Sequence, residues 1–190
     1  YSQKDGLRYV HCVSIDMLQR QKGIIVSLSD QEVQKAREFA RSKAVAKLTE
    51  RDHQIDNRSE VKRSFTGMTG EMAVEKLLGR SFVDWTVGHS GNYDHPDLDP
   101  IGVKLGVKTV TKGLHHAINI DNTYDQILVV KIDDNTYEVC GLASAEVLNK
   151  YQDASLIKDR NMIERKTGFV GYDHLIPAEF INEYIDCIYG

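Results

Sequence analysis

The spacing of apolar residues switches between helical and strand periods along this chain. Residues 7–28 read as a strand, a short helical or looped piece, and a second strand, GIIVSLS. Ser29 to Glu32 then spells S-x-x-E, a capping box in which each side chain can bond the other residue's backbone N–H. It predicts a helix through about Leu48. Residues 49–63 are polar and read as a helix end followed by an exposed connection. A second helix, GMTGEMAVEKLLG, closes at Gly79, a residue type suited to a helix C-terminus. At about 100° per residue, Gly70, Ala73, Val74, Leu77 and Leu78 fall on one stripe of it.

From Ser81 the period becomes two, and Ser81–Val87 reads as a strand. Within HPDLDPIGVKLGVKTVT, His95–Thr111, the residues Asp99-Pro100-Ile101-Gly102 suit a type I turn. Pairing Asp99 with Gly102 sets Asp97 opposite Lys104 and Leu98 opposite Val103. Asp97, Lys104, Gly106 and Lys108 then share one face; Leu98, Val103, Leu105 and Val107 share the other, the core face. QILVVKI (126–132) has the length and apolar run of a central strand. TYEVCG returns after the turn Asp133-Asp134-Asn135. SAEVLNKY reads as a short helix, residues 152–168 as a polar loop, GFVGYDHLI as strand-like, and PAEFINEYIDCI as a closing helix with proline at its start. This order predicts an α/β fold with a central mixed β-sheet flanked by helices. Residues 1–63 would form a flanking region and 64–190 the core of one compact domain.

Composition narrows the classes. The 190 residues are 41% hydrophobic and 27% charged, enough apolar material for a sizeable core. The formal charge of −4 excludes a chain-wide positive field, so any nucleic-acid contact would use a local basic patch. Cys12, Cys140 and Cys187 are far apart and odd in number, and no C-x-x-C occurs. That argues against a Cys-rich zinc site and suits a reduced, intracellular (cytoplasmic) protein. No apolar run reaches the roughly 18 residues of a membrane span. P-loop, dinucleotide-binding and nucleophile-elbow motifs are absent.

Candidate chemistry gathers between residues 67 and 116. Glu71 falls at the edge of the apolar stripe, where an acid is costly unless a cation or donors meet it. Glu75 lies one turn further along. Gly67 and Gly70 each weaken a helix interior by about 1 kcal/mol relative to Ala, which a close backbone approach to the sheet would explain. The G-x-x-G-E-x-A helix, a strand, Pro96-Asp97, a second strand ending in Lys108-Thr109 and two further strands come in the motif order of the PD-(D/E)XK nuclease superfamily. The resemblance spans about residues 64–140.

The resemblance implies a restriction-endonuclease-like core and Mg²⁺-dependent hydrolysis of DNA phosphodiesters, with Mn²⁺ able to substitute. Residue by residue, Asp97 matches the first acidic position, Lys108 the lysine and Glu71 the additional helix glutamate. Val107 would offer its backbone carbonyl to the metal. Lys104 would hold a neighbouring phosphate. Lys112, His115 and His116 would touch the DNA backbone, as would the basic loop residues Arg165 and Lys166. Each of these also has a plain reading as solvated surface. The second acidic position, two before the lysine, is Gly106, which cannot ligate through a side chain. Either Glu71 supplies the missing oxygen or the site is weakened or dead. Cutting both strands would call for two sites, hence a homodimer. The rival is a catalytically inactive nuclease-fold protein that binds nucleic acid or a protein partner.

Overall fold

A computed structural model describes residues 23–47, 60–87, 95–158 and 162–190. The strand expected near residue 7, Cys12, most of the 49–63 connection and Arg160 lie outside the described residues. The elements in chain order are β1 (Ile24–Ser27), α1 (Asp30–Lys47), α2 (Glu60–Leu78), β2 (Leu105–Thr111), β3 (Ala117–Asn119), β4 (Asp125–Lys131), β5 (Thr136–Ala143), α3 (Ala145–Lys150), β6 (Gln152–Asp153), β7 (Lys166–Phe169) and α4 (Ile181–Tyr189).

Local chemistry explains the helix ends. Ser29 Oγ accepts from Glu32 N at 3.2 Å, and Glu32 Oε2 accepts from Ser29 N at 2.6 Å, so the capping box forms as its spacing predicts. Helix α2 begins at Glu60, earlier than expected. Its polar first turn is not a loop because Glu60 pairs with Arg63 and accepts from Ser64 Oγ, one helical turn along. The helix ends at Gly79, whose φ of 66° suits glycine. Ser144 caps α3 through Val147 N.

Residues 81–87 are not a strand. The N–H groups of Phe82 and Val83 both donate to Glu75 Oε1, at 2.6 and 2.7 Å, which folds this segment back onto the end of α2. Trp85 meets Phe39 edge-on at 5.4 Å, with the Lys35 ammonium over its ring. The alternating apolar residues therefore pack onto helices without a strand partner.

The main sheet has the order β1-β5-β4-β2. β2 runs parallel to β4, whereas β4–β5 and β5–β1 are antiparallel, so the sheet is mixed as expected. The described part of the N-terminal segment supplies the edge strand β1 and the covering helix α1. One face of the sheet carries Leu105, Val107, Ile127, Val129, Tyr137 and Val139 against α1, α2 and α4. The other face is covered by an unexpected second sheet of order β3-β7-β6 together with α3; Leu128 and Ala143 meet Ile118, Leu148 and Phe169 there. Residues 152–168 thus include β6, a short 3₁₀ turn and the start of β7, and are not simply a loop. Strands of two to four residues leave too little alternation for a periodicity to register.

Gly70 fixes the distance between α2 and β2. A β-carbon there would stand 1.7 Å from Thr109 Oγ1, whereas one at Gly67 would meet nothing within 4 Å. Close approach therefore explains one of the two helix glycines. Gly70→Ala is expected to destabilise the fold by roughly 1–3 kcal/mol through overpacking. Gly67→Ala is expected to stabilise it by about 0.5–1 kcal/mol through helix propensity. Urea denaturation of the two variants checks the opposite signs.

Candidate active site at the open edge of strand β2

β2 is the last strand of its sheet, and its outer edge is where the candidate residues meet. The turn before it forms as expected: Gly102 N donates to Asp99 O at 2.9 Å, and Gly102 has a φ of 76°. The register does not. Leu98 N bonds to Leu105 O, Leu98 O accepts from Val103 N, and Leu105 N turns back onto Val103 O. Lys104 is bulged out by this local turn, is exposed, and accepts a bond from the Tyr189 hydroxyl at its carbonyl. It does not share a face with Asp97. The slip carries Asp97 further along β2, where its Oδ2 accepts from Val107 N at 2.5 Å. The expected core face survives the slip, with Leu98, Val103, Leu105 and Val107 all buried.

Residues 105 and 107 turn their backbone polar groups to this open edge. In a strand the N–H and C=O of one residue point the same way, so the Val107 carbonyl opens beside the Asp97 carboxylate. Glu71 approaches from α2, held close by the Gly70 contact. It is half-buried and accepts no hydrogen bond among the described residues. Burial, then the negative charge of Asp97, push its carboxyl up to about 8, while Lys43 and Lys108 pull the other way. Asp97 is also raised by burial, against the Val107 N–H and the Lys108 charge. Glu71, Asp97 and Lys108 therefore share one electrostatic neighbourhood. The Lys108 ammonium makes neither an ion pair nor a hydrogen bond among the described residues.

An all-oxygen set of two carboxylates and a strand carbonyl suits a hard cation such as Mg²⁺. The unpartnered Glu71 carboxyl, inclined to hold a proton, is the observation that fits such an ion best. No group of three or more His, Cys, Asp and Glu side chains gathers to hold a metal among the described residues. The candidate set is thus limited to Glu71, Asp97 and Val107 O.

Gly106 sits at the centre of this arrangement. A β-carbon on it would lie 2.8 Å from the Tyr124 ring, 3.5 Å from Asp97 Oδ2 and 3.6 Å from Gln126 Cγ. Tyr124 occupies the space where a second acid would begin. Gln126, beside Gly106 in the β2–β4 register, is buried with no partner for Oε1. Lys43, Tyr124 and Gln126 are neighbours that sequence reasoning missed. The one signal for them was a glutamine opening an otherwise apolar central strand.

The remaining candidates divide. Lys112, His115 and Arg165 are exposed, as a DNA-facing role would need. His116 is not at the surface: it is 1% exposed, between the two sheets. Its Nε2 lies 2.9 Å from the Val129 carbonyl oxygen, so Nε2 carries the proton, and Nδ1 accepts from the Tyr172 hydroxyl at 2.8 Å. Lys166 is half-buried on β7, not on a loop. Beside it, Asn119 and Asn122 join Asn149 and Gln152 in a part-buried amide network. Glu75 is taken up by Phe82 and Val83, and Asp99 by the turn.

Comparison with protein-family models, curated proteins and solved structures finds no match. No described helix is long and apolar enough to cross a membrane.

Burial holds His116 near pKa 4, down from 6.5. Between those values the unfolded chain binds a proton that the folded chain refuses, so His116 makes stability fall as pH drops through that window. Glu71 acts with the opposite sign. Between 4.5 and about 8 the folded chain keeps a proton the unfolded chain has released, so its contribution falls as pH rises. Urea midpoints checked at about pH 4.5, 6 and 8 should show a smaller acid loss in His116→Gln than in wild type. Glu71→Gln should gain more at the alkaline end than at the acid end. Parallel curves for all three proteins would contradict both assignments.

Proposed function

We propose that this chain is a Mg²⁺-dependent endonuclease that hydrolyses DNA phosphodiester bonds on a restriction-endonuclease-like core. The observation that supports this reading is the Asp97 carboxylate bound to Val107 N at the open edge of β2, within the electrostatic reach of Lys108, as Glu71 is of both. Glu71 and Asp97 are 26 positions apart in sequence, yet the negative charge of Asp97 raises the affinity of the Glu71 carboxyl for positive charge. Asp97 is oriented by the Val107 N–H, which leaves its carboxylate fixed at the edge. Bound Mg²⁺ supplies a water of lowered pKa and neutralises charge on the phosphate. Lys108, without an ion-pair partner among the described residues, keeps its ammonium available to stabilise anionic oxygen during phosphoryl transfer. Exposed Lys112, His115 and Arg165 would contact the flanking backbone, where each phosphate contact adds salt-sensitive affinity.

The second reading, a catalytically inactive nuclease-fold protein that binds nucleic acid or a protein, is favoured by Gly106 and by the Tyr124 ring against it. Metal binding without cleavage would select it.

Wild type is expected to nick supercoiled plasmid in Mg²⁺ or Mn²⁺. Asp97→Asn and Lys108→Met should each lower the rate roughly 100-fold or more. Activity unchanged in both variants would sink the nuclease reading. A Mn²⁺-dependent rise in melting temperature that is lost in Asp97→Asn, without any nicking by wild type, would support the inactive-fold reading.

A further inference from the structure

Gln126 carries a buried oxygen left without a use in the fold. It stands on β4 in register with Gly106 of β2, and in this parallel pair the two positions present their side chains to the same face of the sheet. The residue is 1% exposed, and its Oε1 has no hydrogen-bond partner among the described residues. Turning the amide round would not cure this, because bonds anchored in the backbone fix its sense. Asn149 Oδ1 accepts from the Asn122 backbone N–H at 2.8 Å, and Asn149 Nδ2 donates to the Asn122 carbonyl at 3.0 Å. Asn122 Nδ2 donates to that same Oδ1 at 3.3 Å and to the Asn119 carbonyl at 2.7 Å. Asn122 Oδ1 is then the acceptor that meets Gln126 Nε2 at 3.4 Å. Oε1 is the end left over. A buried acceptor stripped of water and given no donor costs about 1–3 kcal/mol, which a purely structural amide would avoid by bonding at both ends.

The neighbouring space is where the site lacks a ligand. One point, the position of the β-carbon that Gly106 does not have, lies 3.5 Å from Asp97 Oδ2 and 3.6 Å from Gln126 Cγ. An acid at position 106 would start from that point. Gln126 borders it from the next strand and carries a carbonyl oxygen, a hard donor of the kind divalent cations accept. We propose that Gln126 Oε1 is a further oxygen ligand of the divalent cation, a neutral stand-in from β4 for the acid absent at Gly106. The inference rests on the metal-dependent reading of the site. Asn122 is then a positioning residue, which holds the Nε2 end and keeps the oxygen end free for the cation.

Mn²⁺ alone is the probe, titrated calorimetrically into wild type, Gln126→Met, Gln126→Glu, Asn122→Ala and Asp97→Asn. Wild type should bind saturably. Gln126→Met keeps the bulk and removes the oxygen, so it should bind at least about tenfold more weakly, no less than the loss of an outer-shell partner brings. Gln126→Glu keeps an oxygen and should bind at least as tightly as wild type. Asn122→Ala leaves Oε1 in place and should bind far better than Gln126→Met. In wild type, where no variant has to fold, Mg²⁺ should shift the Gln126 side-chain amide signal in NMR spectra. Equal Mn²⁺ binding by wild type and Gln126→Met overturns the proposal. So does equal loss in Asn122→Ala and Gln126→Met, or an unmoved Gln126 signal at saturating Mg²⁺. Asp97→Asn separates the two failures. If Mn²⁺ binding needs Asp97 but not Gln126, only the added ligand is wrong. If wild type binds no Mn²⁺, the metal reading falls and this inference falls with it.

Discussion

A carboxylate takes the place of a neighbouring strand at the edge of β2, and the rest of the candidate site is arranged around that bond. An edge strand presents unpaired N–H and C=O groups, which proteins cover or break up. Here Leu98 covers the edge at Leu105, and the Asp97 carboxylate covers it at Val107 N. The bond fixes Asp97 beside the Val107 carbonyl and above Gly106. It also depends on the bulge at Lys104, since an unslipped hairpin would have brought Asp97 across from Lys104. From the other side, Gly70 lets α2 lie against Thr109, and the next residue, Glu71, feels the Asp97 charge. A turn, a bulge and one missing β-carbon thus set Asp97 on the strand edge and α2 against β2.

What could be read from the sequence was what short-range chemistry decides. The capping box of α1, the glycine stop of α2, the β4–β5 hairpin and the Ser144-capped helix each depend on residues within a few positions of one another. The alternation of Leu98, Val103, Leu105 and Val107 marked the core face correctly even though the register was wrong, because a slip of two positions preserves which side a residue faces. Residues 81–87 misled for a complementary reason. Phe82, Val83 and Trp85 are apolar because they pack on α1 and α2, and period two looks the same whether the partner is a strand or a helix. The second sheet was invisible because strands of two to four residues owe their existence to Ile118 and Phe169 packing on Leu128, a contact far away in sequence. His116 was misplaced by the same blindness. Beside His115 it resembles surface, but Val129 O and Tyr172 accept it into the layer between the sheets.

Gly106 looks like a deletion when read along the strand and like a fitted position when seen in the fold. The β-carbon it lacks would collide with the Tyr124 ring. Restoring an acid there would need the ring to leave, so the glycine and the tyrosine belong to one packing solution. That solution places the buried Gln126 beside the gap and leaves Glu71 as the partner acid for Asp97.

The charge pattern bears on that last point. Glu71 and Asp97 are both pushed toward their protonated forms, and Lys166 toward its neutral form. Burial thus works to discharge the acids beside β2 and, in the second sheet, the lysine of β7. A cluster that served only to hold layers together would relieve this by direct pairing, with Lys108 on Glu71 and Lys166 on a carboxylate. Instead Lys108 is unpaired among the described residues and Lys166 bonds a neutral amide. Protonation relieves the acids in the free protein, and a bound cation would relieve them in its place. A divalent cation held by Asp97 and Glu71 would do so, and the proposed function stands or falls with that exchange of protons for metal.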